Sequence, residues 1–194
     1  MRYALTAAAA LLLTACSQAP ITGPDYAAQL QQWRTDRETR LKADDGWLTL
    51  VGLFWIDPGV STIGSDPGSD VPLPAHLPAK LGTITLKDRL AQFTPAPGVS
   101  LQSQTLHDDA TPNYEVIQTG TVSFYLIERG GRFGIRVKDT QSPARTNFAG
   151  LDWYPPDPTW VVDAKLTPAP HKVKFDTEVG VVQDGDSPGY LEFD

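Results

Sequence analysis

The chain has 194 residues, 41% of them hydrophobic, which is enough for one ordinary domain with a sizeable core. Its formal net charge of -7 at pH 7 repels polyanions, so we expect no nucleic acid partner. It has a single cysteine, which excludes an intrachain disulfide and leaves packing as the source of stability.

The first element is a short apolar stretch that ends at the cysteine. Arg2 supplies a positive charge, residues 4–13 are apolar, and Leu13-Thr14-Ala15 directly precedes Cys16. The stretch is about half the ~20 residues that a membrane-spanning helix needs, and it indicates a signal peptide. It resembles the lipobox of bacterial lipoproteins. That resemblance implies removal of residues 1–15 and attachment of acyl chains, palmitate among them, at Cys16.

Lipidation at Cys16 implies a membrane partner and a location in the bacterial cell envelope, because two or three acyl chains anchor a protein stably. Ser17 rather than Asp follows the cysteine. In a Gram-negative cell this implies the outer membrane, with the protein facing the periplasm. Residues 16–24 contain two prolines and read as a tether.

Residues 25–46 are predicted to form one amphipathic helix. Tyr26, Leu30, Trp33 and Leu41 fall near one face, and the other face is charged. Gly46 is expected to end this helix in a left-handed cap.

Residues 47–166 are predicted to form an antiparallel β-sandwich, so the fold class is mainly β. Residues 47–56 are almost continuously apolar and predict either a buried strand or a passage from helix to strand. The clearest hairpin alternates over 122–126 and 133–137 around Gly130-Gly131, which leaves Arg132, Arg136 and Lys138 on the outer face. Other short strands are predicted at 60–63, 81–86, 90–94, 99–101, 114–117 and 162–166.

Residues 167–194 are predicted to form an incomplete β appendage. They offer strand material only at 173–175, 179–183 and 190–193. An unfinished edge strand is a liability, so we expect something to follow it or to cover it.

Three stretches together resemble one bacterial family. They are Asp45-Gly46-Trp47-Leu48-Thr49-Leu50-Val51-Gly52-Leu53-Phe54-Trp55 with the preceding Arg37-Glu38, then Gly64-Ser65-Asp66 with Asp70-Val71-Pro72-Leu73-Pro74, and Arg132-Phe133-Gly134-Ile135-Arg136-Val137-Lys138-Asp139 with Ser142-Pro143-Ala144-Arg145. The family is the domain of unknown function 1684, and the resemblance runs from about Trp33 to the C-terminus. It implies no established activity. Members continue past the segment that resembles residues 187–193, so we expect a shortened member or a fragment.

The second stretch is also similar to forkhead-associated domains, which implies a β-sandwich. Those domains read phosphate with an Arg after the glycine, and here Ser65 occupies that position. The departure argues against phosphopeptide binding.

Arg136, Asp139, Ser142 and Arg145 are the candidate ligand-binding residues. Two guanidinium groups beside a carboxylate suit a small anionic ligand. The alternative is structural, with Asp139 capping a turn and pairing with Arg136 or Arg145.

Other side chains suggest weaker sites. His76, His107 and His171 are too far apart in sequence for the usual zinc spacing, so we expect no metal site and no cofactor. Tryptophans 47, 55, 153 and 160 suit either a carbohydrate-stacking platform or packing, and the core is favoured for Trp47 and Trp55.

The sequence therefore predicts a membrane-anchored envelope lipoprotein that acts as a non-catalytic binding or structural module. The ligand would be a small anion or a carbohydrate, and the catalytic residues of any enzyme stay unknown. The alternative is a hydrolase-like envelope enzyme that uses Asp139 with a histidine. A degenerate relative without activity is the third possibility.

Overall fold

The computed structural model describes residues 24–157, 159, 162–178 and 180–193. The predicted signal peptide (1–15), Cys16 and all of the predicted tether except Pro24 lie outside these residues. None of the helices within them combines the length and apolar composition that crossing a membrane requires. The fold is mainly β, as predicted.

The described elements run from an N-terminal helix through eleven strands. The helices are α1 (Pro24–Lys42), a 3-10 helix (Trp47–Thr49) and α2 (Pro143–Thr146). The strands are β1 (Leu50–Ile56), β2 (Gly59–Gly64), β3 (Val71–Pro72), β4 (Gly82–Lys87), β5 (Leu90–Pro95), β6 (Gln104–Leu106), β7 (Ile117–Thr119), β8 (Val122–Arg129), β9 (Arg132–Asp139), β10 (Lys165–Asp176) and β11 (Val182–Glu192).

Helix α1 ends four residues earlier than the predicted boundary at 46. Gly46 has extended backbone, with φ -71° and ψ 170°, so the predicted left-handed cap is wrong. Glycine is needed there for space instead, because an added Cβ would lie 2.4 Å from the carbonyl oxygen of Leu41. The chain then passes through the 3-10 helix into β1, which is the second of the two predicted possibilities.

Four strands form one antiparallel sheet in the order β1-β9-β8-β7. The alternation predicted for the β8–β9 hairpin is confirmed: Val122, Phe124 and Leu126 are buried in the core. Phe133, Ile135 and Val137 of β9 are buried in the same cluster. Gly130 and Gly131 form the turn with φ of +60° and +82°, which glycine adopts without strain.

Five strands form a second sheet in the order β3-β2-β4-β5-β6. The short strand β3 runs parallel to β2, so this sheet is not wholly antiparallel. Asp70 stabilises the connection between β2 and β3, because its carboxylate accepts hydrogen bonds from the amide and the hydroxyl of Thr62, both at 2.7 Å. The strand predicted at 99–101 is wrong, since the strand that pairs with β5 is β6 at 104–106.

Both sheets contribute to one hydrophobic cluster. Ile63, Ile84 and Phe93 of the second sheet are at most 1% exposed, as are Phe124 and Ile135 of the first. The rings of Phe93 and Phe124 meet edge to face with centroids 5.6 Å apart. Burial of these inner faces is the main stabilising contribution that the structure shows.

Strands β10 and β11 form a separate two-stranded ribbon, which begins at Lys165 and therefore before the predicted boundary of the appendage at residue 167. One face carries two cross-strand ion pairs, Lys172 with Asp186 at 2.5 Å and Lys174 with Asp184 at 2.8 Å. The other face carries large hydrophobic side chains, among them Val173, Phe175 and Tyr190, and these are exposed. No described residue buries these side chains, and Val182, which lies next to the ion pairs on the first face, is exposed as well.

Contacts divide the chain into residues 1–36 and residues 37–194. In the first unit the described residues are helical, and Gln32 donates to the carboxylate of Asp36 at 2.8 Å. Both sheets, α2 and the ribbon belong to the second unit.

Replacement of Phe124 by Ala is expected to lower the free energy of unfolding by about 3–5 kcal/mol, because it opens a cavity beside Phe93. Urea unfolding followed by circular dichroism measures this change. Phe175→Ala is the matched control, since Phe175 is 48% exposed on the ribbon, and it should change the free energy by about 0.5 kcal/mol or less. Equal effects of the two substitutions would contradict the assignment of the core.

Candidate functional site

The outer face of the four-stranded sheet carries the polar side chains that the core excludes. Tyr125 of β8 lies opposite Arg136 of β9, and Ser123 lies opposite Lys138. Because neighbouring residues of a strand point to opposite faces, the burial of Phe124 and Val137 directs these four residues outward. One strand, β9, thus places two cations on the same surface.

A groove of about 350 Å³ lies on this face. Its walls come from four places: the turn after α1, the loop before β7, strand β7 and the β8–β9 hairpin. The lining residues are Asp44, Asp45, Tyr114, Val116, Gln118, Ser123, Tyr125 and Lys138. The volume lies at the lower end of the range of about 300–1,000 Å³ that small-ligand sites span.

The two cations beside the groove have no carboxylate partner among the described residues. Lys138 donates from Nζ to the backbone carbonyl of Asp45 at 2.8 Å and lies 5.6 Å from the centre of the Tyr125 ring. Neither Lys138 nor Arg136 forms any of the ion pairs found in the described ranges. Both side chains are half-buried, and opposite charges act on them only without contact, Asp45 on Lys138 and Asp109 on Arg136.

The pKa values of Lys138 and Tyr125 are both shifted by their burial beside the groove. Burial lowers the pKa of Lys138, the charge of Asp45 opposes that shift, and repulsion from Arg136 adds to it. Burial also raises the pKa of the Tyr125 hydroxyl, which the neighbouring Arg136 partly offsets. Tyr125 is therefore a neutral hydrogen-bonding group at neutral pH, beside two positive charges.

The loop of residues 107–116 forms one wall of the groove, and it is held at two points, by an ion pair at Asp109 and by hydrogen bonds between Glu115 and His107. Asp109 binds Arg129 through both carboxylate oxygens, at 2.8 and 2.6 Å. Glu115 accepts from the amide of His107 at 2.9 Å and contacts its Nδ1 at 3.0 Å. Between them, Tyr114 packs on Tyr125 with ring centroids 5.1 Å apart.

Both carboxyl groups of this loop have lowered pKa values. Burial alone would raise the pKa of Asp109, but the hydrogen bonds and charge of Arg129 outweigh it and hold the pKa below its ordinary value. The pKa of Arg129 is raised in return by the hydrogen bonds that its guanidinium donates to Asp109. The pKa of Glu115 is lowered mainly by the amide of His107.

Three of the four predicted ligand-binding residues lie together, at the last residue of β9 and in the turn that follows it. Asp139 is 5% exposed and accepts from the amide of Gln141 at 2.9 Å. Ser142 donates from Oγ to the carbonyl of Leu48 and accepts from the amide of Arg145 at 3.3 Å. Its position before Pro143 makes it the N-cap of α2.

Arg145 connects this turn to the turn after α1. Its guanidinium donates to the carbonyls of Lys42 at 2.8 Å and Thr140 at 2.7 Å, and to the carboxylate of Asp44 at 2.6 Å. Arg136 is not part of this network, because it lies earlier on β9 opposite Tyr125. The structure thus separates Arg136 from Asp139, Ser142 and Arg145, and Asp44 links the second set to the groove.

Each histidine contacts a group other than Asp139. His76 lies 3.2 Å from the hydroxyl of Thr121, His107 pairs with Glu115, and Nδ1 of His171 lies 2.8 Å from the carbonyl of Ala169. Within the described ranges, no group of three or more His, Cys, Asp or Glu side chains is arranged to hold a metal ion.

The tryptophans have separate surroundings. Trp47 is 70% exposed, so its predicted place in the core is wrong. Trp55 lies under Arg132, whose guanidinium carbon is 4.3 Å from the ring centre, and Gly134 leaves room for the indole. Trp153 donates from Nε1 to Glu38 at 3.0 Å, and Trp160 lies outside the described residues.

A second cleft, of about 520 Å³, lies at one end of the five-stranded sheet. Its lining is largely apolar and includes Ile63, Pro95, Ala96 and Pro97. The charged residues of this lining are exposed, so solvent compensates their charge. The groove beside Lys138 is therefore the better candidate for a polar ligand.

Sequence reasoning placed Lys138 on the outer face but did not include it in the site, and it missed Tyr125, Tyr114 and Asp45. The alternation over 122–126 already places Tyr125 beside Arg136 once the hairpin is paired. No sequence signal places Tyr114 or Asp45 there, because each comes from a loop that is remote along the chain.

Comparison with known proteins gives one partial match. Residues 146–194 match the model of a family described as a protein of unknown function, DUF1684. This stretch contains the ribbon and supports the resemblance inferred from the sequence. Searches of curated proteins and of solved structures gave no match.

The Asp109–Arg129 pair is expected to lose its contribution to stability in acid. Because the pKa of Asp109 is lowered on folding, the contribution is complete above its ordinary value of 3.8 and is lost as the pH falls through the folded pKa. Asp109→Asn should therefore cost about 2 kcal/mol at pH 7 and progressively less below about pH 4.

Urea unfolding at pH 7, 5 and 3 measures this difference. Arg129→Met and the double variant complete a cycle that isolates the pair from the single substitutions. A coupling energy that stays constant from pH 7 to pH 3 would contradict the assignment.

Proposed function

We propose that this protein is a lipid-anchored lipoprotein of the bacterial cell envelope that acts as a non-catalytic binding module for a small anionic ligand. The ligand site is the groove that Lys138, Tyr125 and Ser123 line, with Arg136 beside it. The observation that carries the proposal is the pair of half-buried cations, neither of which forms an ion pair with a described carboxylate.

We infer that the fold is a β-sandwich similar to forkhead-associated domains. The support is the single core cluster that both sheets share and the contact between Phe93 and Phe124. The sandwich then presents the outer face of the four-stranded sheet as a rigid surface for binding.

The anchor is Cys16, after removal of residues 1–15. Its support is the sequence alone: the charged start, the short apolar stretch and the small residue before the cysteine. In a Gram-negative cell the protein lies at the outer membrane and faces the periplasm.

An anion bound in the groove would compensate the positive charge of Lys138. A carboxylate or phosphate near Nζ of Lys138 offsets its desolvation and its repulsion from Arg136, the two effects that lower its pKa. The hydroxyl groups of Tyr125 and Ser123 supply donors at the same place. Tyr114 and Val116 add apolar walls.

A binding module is favoured over a hydrolase because of how Asp139 is engaged. A general base needs an accessible carboxylate or a histidine within hydrogen-bond reach. Asp139 is buried and accepts from the amide of Gln141, and the three histidines contact other groups.

Lipidation predicts that the chain isolated from bacterial membranes begins at Cys16 and carries the mass of a diacylglyceryl group and an amide-linked acyl chain. Cys16→Ser should keep residues 1–15 and lose the acyl mass. Mass spectrometry of the intact proteins measures both. A wild-type chain that retains residues 1–15 and a free thiol would refute the anchor.

Anion binding predicts a saturable response to inorganic phosphate, seen as shifts of the amide resonances of Ser123, Tyr125 and Lys138. Lys138→Met and Arg136→Met should each weaken binding at least tenfold, because hydrogen bonds to charged groups contribute about 1.5–3 kcal/mol. Arg132→Met is the matched control, since it removes a cation from the same strand and face but from beside Trp55.

Unfolding curves of all three variants establish that they are folded. Equal weakening by Arg132→Met would indicate a general charge effect. Unchanged binding in folded Lys138→Met would remove the groove as the site.

A further inference from the structure

The groove carries a negative group as well as a positive one. Lys138 lies on the wall formed by the sheet, and Asp44 and Asp45 lie on the wall formed by the turn after α1. A site for a simple anion gains nothing from carboxylates in its lining, because they repel the ligand. Their presence therefore constrains the chemistry of the ligand.

The two aspartates are not equivalent. Asp44 is paired with Arg145 at 2.6 Å, so its charge is already compensated. Asp45 meets Lys138 through its backbone carbonyl, and its carboxylate raises the pKa of Lys138 without forming one of the ion pairs of the described residues. The groove thus contains one cation and one carboxylate that attract each other but are not in contact.

Such a separation suits a ligand that carries both charges. A carboxylate on the ligand meets Lys138, and an ammonium group on the ligand meets Asp45. The rings of Tyr114 and Tyr125, which pack at an angle of 38°, offer with Val116 an apolar surface for a side chain between or beside the two charges. The volume of about 350 Å³ limits the ligand to a small molecule.

We propose that the groove binds a small zwitterion of the α-amino acid class, with its carboxylate at Lys138 and its ammonium group at Asp45. This inference rests on the proposed anion-binding function of the same groove, because the carboxylate of the zwitterion occupies the anion position at Lys138. Arg145 acts as a positioning residue, because its bond to Asp44 and its bonds to the carbonyls of Lys42 and Thr140 hold the turn that presents Asp45.

Three matched probes test the proposal in the full mature chain: phenylalanine, N-acetylphenylalanine and phenylalaninamide. They share the aromatic side chain but carry both charges, only the negative charge and only the positive charge, respectively. Isothermal titration calorimetry should give at least tenfold tighter binding for phenylalanine than for either of the other two. Amide shifts at Tyr125 and Lys138 locate the binding.

The Asp45→Asn substitution removes the negative charge of the site and keeps the positive charge of Lys138, so it tests the two charges separately. The substitution should weaken the binding of phenylalanine at least tenfold. The binding of N-acetylphenylalanine should stay unchanged or become tighter, because the repulsive carboxylate is gone. Lys138→Met should weaken both. The backbone carbonyl that holds Lys138 is retained in Asp45→Asn, and Asp45→Ser provides a second variant with the same expected result.

The outcomes distinguish this inference from the function on which it rests. Binding of phosphate and N-acetylphenylalanine that depends on Lys138, with no gain for phenylalanine and no effect of Asp45→Asn, overturns the zwitterion and keeps the anion site. Absence of binding by phosphate and by all three probes overturns both. Tighter binding of phenylalanine that survives Asp45→Asn also overturns the assignment of Asp45.

Discussion

The burial of the inward side chains of β8 and β9 is the constraint on which the rest of the structure depends. Phe124 and Leu126 on one strand, with Ile135 and Val137 on the other, fix the register of the hairpin against the second sheet. A slip of one residue would turn this apolar set toward solvent. The same register sends Tyr125, Arg136 and Lys138 outward, so the core and the candidate site are set by one alternation.

Charge is distributed unevenly over this framework. The chain has an excess of acidic residues, yet two cations beside the groove have no described carboxylate partner. Other cations of the same region are compensated: Arg129 by Asp109 and Arg145 by Asp44. Those pairs hold the loop and the turn that form the walls. The two cations without an ion-pair contact thus lie beside a loop and a turn that ion pairs hold, which favours a role in binding over a role in stability.

The ribbon of β10 and β11 exposes both hydrophobic side chains and strand edges to solvent. A two-stranded ribbon is only marginally stable in water by itself, and its apolar face is exposed. Its tip lies near the β8–β9 turn, since a Cβ on Gly130 would come within 2.9 Å of Val181. Pro168, Pro170 and Pro188 lack backbone donors, which reduces the tendency of the edges to pair with other strands. The family match covers this ribbon, so its exposed hydrophobic side chains lie in the stretch that resembles other proteins.

The sequence by itself determined the mainly β class, the helix at its start, the β8–β9 hairpin and the outward direction of Arg136 and Lys138. These follow from hydrophobic periodicity, which is a local property of the chain. Tertiary structure decided the rest. Lys138 meets Asp45 across 93 positions of sequence, and Arg145 meets Asp44 across 101. It also engaged Asp139, Ser142 and Arg145 in holding two turns together, whereas the sequence left a ligand-binding role and a structural role open for them. Periodicity carries no information about such long-range contacts, because they depend on how loops with no repeating pattern pack against the finished sheet.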